Sequence, residues 1–75
     1  MNALAIREVL TNTEVPASAR LVWAYLSVAA EPQNGVSIIR DLGMSHGTVT
    51  KCVGELSRRG LVRRVNGVLL PEVPQ

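Results

Sequence analysis

The stretch from Ser37 to Gly60, SIIRDLGMSHGTVTKCVGELSRRG, leaves few folds open. Two short helical patterns meet across a break at Gly43. Ser37 is expected to cap the first helix, whose apolar side is Ile38, Ile39 and Leu42. Gly43 then stops it, because glycine tolerates the left-handed conformation with which helices often end. Ser45 is placed to cap the second helix, and Thr48 follows three residues later. The stretch therefore reads as two short helices joined by a tight turn.

In the second helix Val49, Cys52, Val53 and Leu56 recur at helical spacing and predict one buried stripe. At about 100° per residue, the opposite face carries Gly47, Thr50, Lys51, Gly54 and Arg58. Two glycines on an exposed helix face are costly, at roughly 1 kcal/mol each relative to alanine. One explanation is crowding, with small residues filling a tight internal spot. The other is that the bare backbone is needed for close approach to another molecule, with Thr50 and Lys51 supplying donors beside it.

The rest of the chain supplies a scaffold. Residues 2–10, NALAIREVL, predict a short helix, broken by Thr11, Asn12 and Thr13. Pro16 suits the first turn of a second helix running to about Ala30, and Pro32, Asn34 and Gly35 form the loop that ends it. A helical wheel puts Leu21, Val22, Tyr25, Leu26, Val28 and Ala29 on its core side and Trp23 almost opposite. A helix apolar nearly all round is buried on more than one side. On this reading Trp23 is covered by the N-terminal segment or by a second subunit, or else stands alone at the surface. After Gly60 the period becomes extended. Asn66-Gly67 is a strong hairpin signal, pairing Val65 with Val68, Arg64 with Leu69 and Arg63 with Leu70. Alternation puts Arg63 and Arg64 on opposite faces. Residues 71–75, PEVPQ, read as a frayed tail.

The helix ending Asp41-Leu42-Gly43, then Met44-Ser45, then Thr48-Val49, then ELSRRGLVRR leading into the hairpin, together resemble the winged helix-turn-helix DNA-binding superfamily. The resemblance spans residues 16 to 70. It implies a mainly α fold with a short β-hairpin, as a single domain over 1–75. In that domain 1–12 is an N-terminal helical segment, 16–70 the winged core and 71–75 a tail. It also implies double-stranded DNA as partner and the second helix in the major groove. The residues assigned to DNA are then Ser45, His46, Gly47, Thr48, Thr50, Lys51 and Arg58. Ser37 is assigned to a phosphate through its helix N-terminus, and Arg63, Arg64 and Asn66 belong to the wing. A transcriptional regulator is the leading expectation. The alternatives are a plasmid or phage factor in partition, replication control or excision, and a winged-helix protein-interaction module that does not touch DNA.

Composition narrows the classes. At 75 residues and 47% hydrophobic, the chain is one small domain with enough apolar content to fold. The single cysteine and single histidine exclude an internal disulfide and any cluster of those ligands. Cys52 reads as a small core residue. There is no Gly-rich phosphate loop and no nucleophile–base pair, so no enzyme, cofactor or metal is expected. No apolar run is long enough to span a bilayer and no signal-peptide pattern follows Met1, so a cytoplasmic protein is expected. The net charge of +2 is unevenly spread. Residues 1–36 hold two arginines against three glutamates. Residues 37–75 hold six cations against three acids, the footprint of a nucleic-acid binder. A domain this small contacts few base pairs alone, so a homodimer is expected. Its candidate surface is Leu4, Ile6, Val9 and Leu10 together with Trp23.

Overall fold

In a computed structural model, which describes residues 2–73, four helices are followed by one hairpin. The helices are α1 (Ala3–Leu10), α2 (Ala17–Val28), α3 (Gly35–Leu42) and α4 (His46–Arg58). Strands β1 (Val62–Val65) and β2 (Val68–Pro71) form an antiparallel pair in the expected register, Arg63 opposite Leu70 and Arg64 opposite Leu69. Asn66 and Gly67 both have positive φ, 50° and 83°, the geometry of the two-residue turn that their sequence predicts. Gln33 adds a single bridge to this sheet, its carbonyl accepting from the Leu69 amide at 2.7 Å. Met1, Pro74 and Gln75 lie outside the described residues, so the expected tail is addressed only as far as Val73.

The helix boundaries follow from local chemistry. Asn2 caps α1 through its side chain, which accepts from the Ala5 amide. Gly43 ends α3 at φ 65°, and Ser45 caps α4 by accepting from the Thr48 amide at 3.1 Å. The start of α3 is a correction. Its cap is Asn34, not Ser37, and the helix begins at Gly35. The Asn34 side chain accepts from the Ser37 amide, and the Ser37 hydroxyl accepts from the Asn34 amide, each at 3.0 Å. That reciprocal box satisfies two helix-end donors and buries Ser37 inside the first turn.

The core lies between α2, α4 and the hairpin. Val49, Cys52, Val53 and Leu56 of α4 are all buried, as their spacing predicts. They meet Val22, Trp23 and Leu26 of α2, Ile38 of α3, and Leu61, Val62 and Leu69 around the hairpin. Here α2 is rotated relative to expectation. Its buried side is Ala19, Val22, Trp23 and Leu26, while Leu21 is 49% and Val28 82% exposed. Trp23 is fully buried, and its Nε1–H donates to the Glu72 carbonyl at 3.0 Å. The segment after Pro71 is therefore tied down. Pro71 pairs with Val62, the Glu72 amide donates to the Leu61 carbonyl at 2.8 Å, and Val73 packs on the core. Arg20, the one charge in α2, donates to the carbonyls of Leu10 and Val15 and so fixes the α1–α2 connection. Among the described residues no helix is long and apolar enough to cross a membrane.

Candidate nucleic-acid interface

Helix α4 is held from behind by its buried stripe, which leaves Gly47, Thr50, Lys51, Gly54 and Arg58 exposed as one outward face. Both glycines stand in open space. A Cβ built at Gly47 or Gly54 would meet nothing within 4 Å. Crowding inside the fold therefore does not require them. What they provide is a bare strip of helix backbone at the surface, bordered by hydroxyl and ammonium donors.

Two grooves flank this strip. One runs between α4, the N-terminus of α3 and the hairpin, and is lined by His46, Thr50, Val36, Leu69 and Arg64 among others. The other lies between α4 and the start of α2, lined by Thr48, Lys51, Pro16 and Ser18 with Cys52 and Glu55. Cross-strand pairing explains the position of Arg64. It shares a sheet face with buried Leu69, and that face looks toward α4. His46 and Ser45 sit at the first turn of α4, and the Ser45 hydroxyl both caps the helix and donates to Thr48 Oγ1 at 2.9 Å.

The cations of the basic half differ in how free they are. Arg58 and Arg59 both pair with Glu55, and Arg59 also donates to the Glu14 carbonyl at 2.9 Å. Arg63 pairs with Glu72 at 2.9 Å on the far side of the hairpin from Arg64. Arg40 is engaged by its neighbour Asp41. Among the described residues, Lys51 and Arg64 are the cations of this half without an acidic partner, and each borders one of the two grooves. Hydrogen bonding also sets the local carboxylates. Arg59 holds the Glu55 carboxyl below its ordinary range, with Arg58 adding to the effect. Arg40 does the same to Asp41, helped by the Tyr25 hydroxyl, whose own pKa is raised because it donates to that carboxylate.

Ten of the eleven residues assigned to DNA from sequence are exposed, and seven of them lie on or beside α4: Ser45, His46, Gly47, Thr48, Thr50, Lys51 and Arg58. Asn66 is exposed at the hairpin turn. Ser37 is the exception. Its hydroxyl and amide are both used inside the Asn34 box, and it offers nothing to a phosphate. The groove-lining residues of that turn are Asn34, Gly35 and Val36, of which Asn34 and Gly35 were expected in the loop. The Asn-x-x-Ser spacing was the signal that could have moved the helix start.

The assigned self-association surface fares differently. Trp23 and Val9 are buried within one chain, and Ile6 and Leu10 pack partly against the same core. Only Leu4, 75% exposed, is open to solvent. These residues serve α1 as a lid on the core, and Trp23 is covered without a second subunit.

Among the described residues there is no group of three or more His, Cys, Asp or Glu side chains that could hold a metal ion. In comparisons with family models, curated proteins and solved structures, the chain matches none.

Proposed function

We propose that the protein is a winged helix-turn-helix protein that binds double-stranded DNA and acts as a transcriptional regulator. In this reading α3 and α4 are the helix-turn-helix, α4 enters the major groove, and the β1–β2 hairpin is a short wing. The observation that carries it is the face of α4. Gly47 and Gly54 have no internal reason to be glycine, and on the exposed face of α4 they bracket Thr50 and Lys51. A helix that settles deep in a groove gains from a bare backbone strip flanked by donors. Thr50 and Thr48 offer hydroxyls and methyls to base edges, and Lys51 reaches guanine or phosphate. Arg64, on the α4 side of the hairpin, grips the flanking backbone.

Binding to random and selected duplexes across a salt series tests this. The expected result is an affinity that falls steeply with salt, together with a preferred sequence recovered by selection from a random pool. No binding at low salt, or binding unchanged by Gly54→Gln, would exclude the assignment.

A further inference from the structure

The groove between α4, the N-terminus of α3 and the hairpin has two walls, and a backbone hydrogen bond joins them. Asn34, Gly35 and Val36 line one wall, Arg64 and Leu69 the other. The Leu69 amide donates at 2.7 Å to the carbonyl of Gln33, the residue just before the first wall. The ladder explains why that amide is free to do so. The Asn66-Gly67 turn makes Val65 and Val68 a hydrogen-bonded pair, so Arg64 and Leu69 form the next, non-hydrogen-bonded one. In such a pair the Leu69 amide points away from β1, and the two side chains stand close together. Fixing Leu69 therefore fixes Arg64, the hairpin cation without an acidic partner among the described residues.

Gln33 is itself braced. Its Nε2–H donates to the Glu31 carbonyl at 2.8 Å, and its Oε1 lies 3.0 Å from the Tyr25 hydroxyl. That hydroxyl also donates to Asp41 Oδ2 at 2.5 Å, and Arg40 holds the other carboxylate oxygen at 2.8 Å. Tyr25 thus ties α2, the last turn of α3 and Gln33 together at one point. Both Tyr25 and Gln33 are half-buried, and neither lines the groove. The Tyr25 ring packs on the core, but its hydroxyl serves this junction. We propose that Tyr25 and Gln33 are positioning residues for the hairpin: they clamp it to α3, set the width of the groove and hold Arg64 where it grips the DNA backbone. The DNA half of this role rests on the function proposed above, whereas the clamp is a property of the free chain.

Tyr25→Phe keeps the ring and removes the hydroxyl, and two readouts test it. In the free chain, hydrogen exchange followed by NMR is expected to show the Leu69 amide losing about fivefold of its protection, the worth of one hydrogen bond, while amides in the middle of α4 change less. In DNA titrations, affinity is expected to fall about fivefold in the wild-type background and to stay unchanged where Arg64→Ala is already present. A merely structural role would lower it equally in both backgrounds. Gln33→Ala is expected to reproduce both effects. No loss of protection at Leu69 in either variant, an equal loss at Leu69 and across α4, or an equal loss of affinity with and without Arg64 would each overturn the proposal. If the wild-type chain binds no DNA, the DNA reading fails by itself, and the exchange of the Leu69 amide alone decides the clamp.

Discussion

The indole Nε1–H of Trp23 donates to the carbonyl of Glu72, 49 positions further along the chain, at 3.0 Å. This bond closes the domain, joining the middle of α2 to the residue after the last strand. Trp23→Phe keeps most of the packing but strands the Glu72 carbonyl, and is expected to cost about 1–3 kcal/mol. Trp23→Ala opens a large cavity as well, and should cost about 3–5 kcal/mol. Urea unfolding measures both, and equal losses for the two variants would show that the hydrogen bond, not the packing, dominates.

The glycines of α4 predict opposite effects on stability and binding. Gly54 is in the helix interior with open space around it, so Gly54→Ala is expected to raise stability by about 1 kcal/mol. Gly54→Gln should also fold normally yet lose specific DNA binding, because its side chain fills the strip where the groove floor would lie. Thermal unfolding beside a binding titration separates the two effects. A stabilised variant with undiminished affinity would move the DNA-binding surface away from α4.

Lys51 and Arg64 should matter more than Arg63. Arg63 already has Glu72 as a partner, whereas the other two have no acid beside them among the described residues. Lys51→Ala and Arg64→Ala are each expected to lower the salt slope of DNA binding by about one. Arg63→Ala should change it less. If Arg63→Ala proves the more damaging, the hairpin presents its other face to DNA.

Acid should weaken the fold through Asp41 and Glu55. Both carboxyls have pKa values lowered in the folded protein, Asp41 through Arg40 and Glu55 through Arg59. A lowered folded value means that the ionised form is favoured by folding. The stabilisation is therefore complete above the unfolded values, near about pH 4, and is lost as pH falls through the folded ones. Urea midpoints are expected to drop across this acid range, and Glu55→Gln should flatten part of that drop. Tyr25 carries the opposite sign. Its raised pKa means that its contribution holds below about pH 10 and fades as pH rises further.

Much of the α3–α4 region was legible because its determinants are a few residues apart. Glycine at φ 65° after α3, the Ser45 cap, the four-residue stripe of α4 and the Asn66-Gly67 turn each follow from local sterics, and with them the strand register. The exposed cluster on α4 was legible for the same reason, since one buried stripe defines its opposite face. Ser37 was misplaced because two residues with poor helix propensity, Gly35 and Val36, hide the true start, and Ser and Asn compete for the same cap.

The rotation of α2 could not be read this way. Apolar residues lie nearly all round it, so helical periodicity does not fix its rotation, and the expected and observed core sides, which share Val22 and Leu26, lie about a quarter turn apart. Tertiary structure chose between them. One side carries Trp23, the largest apolar surface in the chain, whose N–H must find a partner when buried. That partner is the Glu72 carbonyl, delivered by a segment whose prolines read as a frayed tail. A choice that depends on a hydrogen bond across 49 positions has no local signature, and making it turned Leu21 and Val28 outward to the surface.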